Sequence, residues 1–234
     1  MRNVKTTSYS GIDNLEVMRE AVNYNRFLVH LILKNVRSGY RIADFGAGSG
    51  TFAAPVRAAG HDVTCIEPDP SLGKHLSSLG FDVENDLEAI PDGSLDYLYS
   101  LNVLEHIAED VKVIDLWSRK LRPGGRLLVY VPAFDLLFSA MDRKVGHFRR
   151  YRRARLVGLL QNAGLAIDRC RYVDSLGFPA TLAYKLLGGS SGDVSLATLV
   201  LYDRIAFPLS RFFDFFLDQI GGKNLYAVAT KRAE

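Results

Sequence analysis

Cysteine is scarce in this chain: of 234 residues only Cys65 and Cys170 carry thiols, and both fall inside apolar stretches that read as strands. That leaves the reducing cytoplasm as the default compartment. Long apolar runs are missing too. No window of about eighteen uncharged apolar residues occurs, so a membrane-spanning helix is not expected. The start, Met1-Arg2-Asn3-Val4-Lys5, leads into polar residues without the apolar core of a signal peptide. Charge of either sign is nearly balanced, with 29 Lys and Arg against 26 Asp and Glu. A net charge of +3 is too small to imply a nucleic-acid partner by itself. Neither repeats nor low-complexity tracts are present.

What the chain does have is core material. At 48% hydrophobic it can bury a full core, and its length suits one domain, residues 1–234, with an insertion. Leu15, Met18, Ala21 and Val22, then Phe27, Leu28, Leu31 and Ile32, recur at helical spacing, so residues 1–38 read as N-terminal helices that could form a lid. Strands are expected at residues 41–45, 62–66, 81–83, 95–101 and 126–132, separated by helical stretches or turns. A sixth is expected at residues 165–172 and a last one at 225–230. Such alternation predicts an α/β fold with a doubly wound parallel sheet. Residues 173–223 are far longer than an ordinary connection of about two to six residues, and read as a helical insertion before the last strand. Within it Leu209, Phe212, Phe213, Phe216, Leu217 and Ile220 mark one apolar face, with Arg211, Asp214 and Asp218 opposite and Phe215 left over. A helix packed on the domain through that face is the plain expectation; a substrate lid or a helix lying on a membrane surface stay open.

The most informative stretch is Asp44-Phe45-Gly46-Ala47-Gly48-Ser49-Gly50. An acidic residue closes an apolar strand, and alternate glycines then let the backbone turn sharply and approach a ligand closely. A helix beginning near Thr51 turns its free N–H groups toward the same gap. The dinucleotide spacing G-x-G-x-x-G is broken, because Thr51 stands where the third glycine would be, and that register argues against NAD. Asp44 would repel a pyrophosphate but suits a ligand with positive charge and no phosphate. At this point the chain resembles the class I S-adenosylmethionine (SAM)-dependent methyltransferases, whose first motif is an acidic residue followed by G-x-G-x-G.

That resemblance implies a Rossmann-like sheet of seven strands with the last one antiparallel, and SAM as cofactor. It sets the strands of Cys65 and Cys170 far apart, which argues against a disulfide. It also assigns a cofactor set. Asp44 would orient the methionine end, with Gly46, Ala47, Gly48 and Gly50 forming the turn. Glu67, about twenty residues on, would accept from the ribose hydroxyls, with Pro68 opening the next turn; Asp69 reads as the cap of the helix at Ser71. Asp86 and Leu87 resemble the adenine clamp. Asn102, ending the fourth strand in Leu101-Asn102-Val103-Leu104-Glu105-His106, would point beside the transferable methyl. Some relatives, quinone O-methyltransferases among them, hold a divalent metal through Glu-x-x-Glu-His here. In this chain Asn102 replaces the first glutamate, and an amide is the poorer hard-metal ligand, so no metal is expected.

The text after the fifth strand is more distinctive: Val131-Pro132-Ala133, then Asp142-Arg143-Lys144-Val145-Gly146-His147-Phe148-Arg149-Arg150-Tyr151. It resembles a bacterial subfamily with D-x-x-x-G-H-x-R-R-Y at this place, often encoded beside polyprenyl-phosphate glycosyltransferases. Ala21-Val22-Asn23-Tyr24-Asn25 matches that subfamily's helical entry, which makes Tyr24 a substrate-contact candidate. Seven arginines and lysines lie between Arg143 and Arg155. Arg152, Arg153 and Arg155 read as a solvated face, whereas Arg149 or Arg150 could clamp a phosphate or carboxylate on the acceptor. His106, His147 and Tyr151 are the candidate bases for an acceptor that must lose a proton. The expected activity is methyl transfer to a small-molecule or lipid-linked acceptor bearing an anionic group, by a cytoplasmic protein for which membrane-surface contact stays open. RNA methylation and a non-catalytic SAM-binding scaffold are the alternatives; the modest charge and the lack of an RNA module weigh against nucleic acid.

Overall fold

A computed structural model describes residues 20–187 and 196–232. Helix α1 (Val22–Leu33) precedes β1 (Ile42–Phe45), α2 (Ala53–Ala58), β2 (Val63–Ile66), α3 (Pro70–Ser78) and β3 (Asp82–Glu84). After these come β4 (Leu95–Leu101), α4 (Asp110–Lys120), β5 (Leu121–Pro132), the short α5 (Ala140–Lys144), α6 (Arg153–Asn162) and β6 (Leu165–Val173). Helices α7 (Gly177–Leu186), α8 (Leu196–Leu201) and α9 (Phe207–Leu217) then lead to β7 (Asn224–Lys231). A turn of π-helix, Tyr202–Ala206, joins α8 to α9 without a break. Residues Leu15 and Met18 of the expected N-terminal helices lie outside the described residues.

The seven strands pair in the order β3-β2-β1-β4-β5-β7-β6. Only β7 runs against its neighbours, β5 and β6. This is the doubly wound, Rossmann-like α/β sheet with an antiparallel last strand. Local chemistry explains its joints. Asp69 caps α3, its Oδ1 accepting from the N–H groups of Ser71 (2.8 Å) and Leu72 (3.0 Å), with Pro70 in the first turn where its missing N–H costs nothing. At Gly125 an added Cβ would meet the carbonyl oxygens of Arg122 and Leu95 at 2.8 Å, so only glycine fits before the chain rises into the body of β5. Along β4 the side chains alternate: Leu98 packs with Trp117, Leu127 and Val129 on one face, while Tyr97 and Tyr99 pack with Leu28, Leu128 and Tyr130 on the other. Cys65 and Cys170 are free and buried, on β2 and β6 with four strands between them.

From β1 the chain winds outward to β3, then crosses back to β4 on the other side. The crevice at a parallel sheet's C-terminal edge opens at such a reversal, here between the ends of β1 and β4. The stretch between β6 and β7 covers the same edge, but its last helix is turned opposite to expectation. Phe207, Ser210 and Asp214 are its buried residues, while Leu209, Phe212, Phe213, Phe216, Leu217 and Ile220 are exposed. Backbone polar groups decide the orientation: Asp214 accepts from the N–H groups of Asp174 (2.9 Å) and Ser175 (2.8 Å), and Ser210 Oγ from that of Leu176 (3.0 Å). Left unpaired, each buried N–H would cost about 1–3 kcal/mol.

Candidate active site

Asp44, Gly46, Ala47, Gly48, Gly50, Glu67, Asn102 and Tyr24 meet around the gap between β1 and β4. The turn is left-handed at each glycine, with φ of +79°, +56° and +82° at Gly46, Gly48 and Gly50. A Cβ on Gly46 would lie 2.4 Å from Val103 Cγ2, so the turn is seated directly on the start of the β4 loop. Ala47 is buried beneath it. Glu67 joins turn to strand end: Oε2 accepts from Gly48 N (2.8 Å) and Oε1 from Asp69 N (3.0 Å). Burial raises its carboxyl, and those two N–H groups oppose the shift. Pro68 beside it is exposed.

Asp44 is almost fully buried, and its Oδ2 has no hydrogen-bond partner. Burial pushes its carboxyl up to about 7, the Tyr99 hydroxyl opposing and the Glu67 charge adding. A buried acid with one unpartnered oxygen, at the mouth of a glycine cradle, fits a cationic ligand that would complete it. Asn102 adopts φ +55°, an uncommon left-handed conformation for a side-chain-bearing residue, which asparagine tolerates better than most. Its N–H bonds Tyr130 O (2.8 Å), and its Nδ2 donates to the Tyr24 hydroxyl (3.2 Å). Strain of this kind gathers at functional sites.

Next to Asn102, ligand atoms of Glu105, His106 and His147 lie within 4.8 Å of one another. Glu105 is buried, with Oε2 unpartnered, and burial raises its carboxyl to about 8. Burial and the neighbouring His147 push His106 down to about 4, partly offset by the backbone carbonyls of Gly146 and Val145. The two imidazoles meet edge to face, centroids 4.6 Å apart. His147 Nδ1 lies 2.8 Å from Asp142 Oδ1. Burial alone would raise Asp142, but the hydrogen bonds from His147 and Arg150 hold it well below the usual carboxylate range. An ionised carboxylate only accepts, so Nδ1 donates a proton to Asp142, and Nε2 lies 3.8 Å from Glu105 Oε1.

Several expected contacts are used elsewhere. Arg150 is buried and forks onto Asp142 through Nε (2.8 Å) and Nη2 (3.0 Å), with Nη1 on Ala133 O. Arg149 pairs with Asp110 (2.8 Å) and donates to Ala108 O (2.7 Å). Tyr151 is fully buried, its hydroxyl 3.1 Å from Asp110 Oδ2, and burial raises that phenol far above its ordinary value. Both arginines are therefore braces inside the loop rather than free clamps, and Tyr151 has no path to an acceptor. Leu87 is sealed in the core, and exposed Asp86 caps its own turn by accepting from Glu88 N (3.0 Å). Sequence reasoning passed over Asp142 and Glu105. The spacing of Asp142 and His147 about Gly146 and the adjacent Glu105-His106 were their local signals; Asp142 finds its partners Ser139, His147 and Arg150 in its own loop, whereas Glu105 meets His147 from the loop after β4.

The profile of the methyltransferase domain family matches residues 18–169. The chain belongs to that family. Its domain is of the SAM-dependent class I kind, and the cradle at Asp44–Gly50 with Glu67 fits that cofactor. Among curated relatives, a protein named ubiquinone biosynthesis O-methyltransferase from Xanthomonas euvesicatoria pv. vesicatoria is 25% identical over 154 residues. The alignment covers 56% of this chain and 64% of that protein, so the chain spans a little under two thirds of its relative's length. Solved structures share the fold. A SAM-dependent methyltransferase from Archaeoglobus fulgidus superposes with TM-score 0.61 at 16% identity, covering 91% of this chain and 94% of its own. Haemonchus contortus phosphoethanolamine N-methyltransferase 2, in complex with SAM, gives 0.66 at 15% identity, covering 98% and 61%.

Proposed function

We propose that this domain transfers the methyl group of SAM to the hydroxyl oxygen of a small-molecule or lipid-linked acceptor. The observation that carries this is the Asp142–His147 pair, which meets Glu105 and His106 of the loop that follows Asn102. Bound SAM supplies an already activated methyl, so the protein's work is to align the nucleophile and take its proton. Asp44 and Glu67 would hold the cofactor's cationic and ribose ends, and Asn102 with Tyr24 would line the path of attack. Alignment is the larger contribution, up to about 7–11 kcal/mol for well-oriented groups. His147 Nε2 would accept the hydroxyl proton, with Asp142 stabilising the imidazolium that forms; such a base is worth about 10²- to 10⁴-fold. The O-methyltransferase name of the curated relative supports an oxygen acceptor. An anionic group on the acceptor keeps less support, since Arg149 and Arg150 are already paired.

The test is incubation of the protein with methyl-labelled SAM and a cell lysate, followed by separation into lipid, small-molecule and polymer fractions. Label should enter the lipid or small-molecule fraction and disappear with His147→Ala. Label in RNA would favour nucleic-acid methylation, and SAM binding with no labelled product a scaffold. The lack of any SAM-dependent thermal shift would sink all three.

A second reading is favoured by the meeting of Glu105, His106 and His147. One carboxylate and two imidazoles suit a divalent transition metal, and the unpartnered Glu105 Oε2 would gain a partner. A bound ion would act as a Lewis acid on the acceptor hydroxyl, doing the work assigned above to His147. Activity abolished by a chelator and restored by one metal would select this reading; activity indifferent to chelation would exclude it.

A further inference from the structure

We infer that the outer face of the helix running from Leu196 to Leu217 docks on an anionic membrane surface. Leu201, Ile205, Leu209, Phe212, Phe215 and Phe216 are between 50 and 81% exposed along it. Leu186 and Leu187, ending α7, are more than two thirds exposed as well. A continuous apolar surface of this kind is uncommon on a protein that meets only water. Among the described residues no helix is long and apolar enough to cross a membrane. Lying in the interface is the mode that remains for such a face in lipid.

Charge selects the occupant. Both acids on the described part of this helix point inward: Asp203 accepts from the N–H groups of Asn23 and Tyr24, each at 2.9 Å, and Asp214 caps Asp174 and Ser175. Arg211 is turned inward as well, paired with Asp214 and set over the Phe27 ring, so the charges left toward solvent on the described residues of α7, α8, α9 and the π-helical turn are basic, exposed Lys185 and Arg204. An apolar stripe of phenylalanine and leucine edged by arginine and lysine complements anionic headgroups over an acyl layer. A second copy of the same face would bring those cations together.

The inward side of the helix reaches the crevice. Asp203 holds the first turn of α1, where the Tyr24 ring lies 5.6 Å from that of Phe207 and the Tyr24 hydroxyl accepts from Asn102. Docking would therefore set the crevice beside the lipid surface. The docking surface does not depend on the hydroxyl acceptor proposed above; only its use for a lipid-linked acceptor rests on that reading.

Sedimentation of the full chain with vesicles tests the surface directly. The protein should pellet with equal parts phosphatidylcholine and phosphatidylglycerol, and far less with phosphatidylcholine alone. Phe212→Ser, Phe215→Ser and Phe216→Ser together should abolish pelleting, and Arg204→Ala should weaken it about fivefold at low salt. Both variants should keep the SAM-dependent thermal shift, which separates loss of docking from loss of fold or of the methyltransferase reading. Wild-type protein remaining in the supernatant with both vesicles, or a triple variant that still pellets, would overturn the inference. So would a wild-type dimer that the triple substitution turns into a monomer without any vesicle binding, since the face would then be an interface between copies.

Discussion

The turn after β1 and the loop after β5 are both contiguous motifs on the same edge of the sheet, yet they carry different kinds of information. In residues 44–50 the meaning lies in the backbone: three left-handed glycines and a Cβ position that Val103 forbids. In residues 142–151 it lies in the charges, and those of Asp142, Arg149 and Arg150 are consumed internally. Asp142 binds Arg150 and His147, and Asp110 binds Arg149, Arg155 and Tyr151. Seen alone, the loop is a basic patch awaiting an anion. Folded, it is a cross-braced frame in which His147 Nε2 lies 3.8 Å from Glu105 Oε1.

The sharpest way to break that contrast is Arg150→Met. If Arg150 is a brace, removing it leaves the buried Asp142 carboxylate without its guanidinium, held only by Ser139 and His147, and costs about 3–5 kcal/mol of stability. Urea unfolding should show that loss, with the KM for acceptor unchanged in whatever folded protein remains. Stability retained with a raised acceptor KM would return Arg150 to the clamp role and dissolve the contrast. On the other side, Gly46→Val places a branched side chain in a left-handed turn and against Val103. SAM affinity should fall at least about a hundredfold, roughly 2.7 kcal/mol. Calorimetric titration of a variant that is still folded would measure it, and a loss under tenfold would mean that the turn tolerates side chains.

The same contrast explains how much was legible beforehand. All seven strands overlap the stretches where alternation and turn residues put them, β5 starting five residues early at Leu121, because the pattern of apolar positions over a few residues decides burial. The glycine turn at residues 46–50 was legible for a similar reason: glycine conformation is a property of the local chain. Arg149, Arg150 and Tyr151 were misread because their partners Asp110 and Asp142 lie several to some forty residues away, and nothing in the local pattern marks them as partners. The face of α9 was inverted for a related reason. Apolar residues at helical spacing normally seek the core, but here the core side of the contact consists of backbone N–H groups at residues 174–176, and those select Asp214 and Ser210.

A smaller effect sharpens the cofactor side. The Asp44 carboxyl in the folded protein stands near 7, above its ordinary 3.8. A raised folded value means that the contribution of Asp44 to stability is fully present below about pH 4 and is lost as pH rises through about 7. A cationic cofactor favours the ionised form, so binding should release a proton below about pH 7. SAM affinity should therefore rise with pH, by at most about tenfold per unit, between roughly pH 5 and 7. Asp44→Asn should bind more weakly, with the Asp44 part of that slope gone. Titrations in buffers of different ionisation enthalpy count the proton directly; an equal proton release by the variant would move its origin to Glu67, whose carboxyl burial also raises.

The smallest expected effect falls where the two regions meet. Tyr24→Phe deletes one hydroxyl, the acceptor of the Asn102 Nδ2 bond at 3.2 Å, and leaves the ring packed against Tyr130 and Phe207. A bond of that kind is worth about 0.5–1.5 kcal/mol, or roughly two- to twelvefold in rate. Because Asn102 is held in an uncommon backbone conformation, loosening its side chain should disturb alignment more than cofactor binding. The loss should therefore appear in kcat at saturating SAM, with SAM affinity nearly unchanged. If SAM affinity falls and kcat holds, Asn102 belongs to the cradle of residues 44–50, and the acceptor side of the crevice begins only at His147.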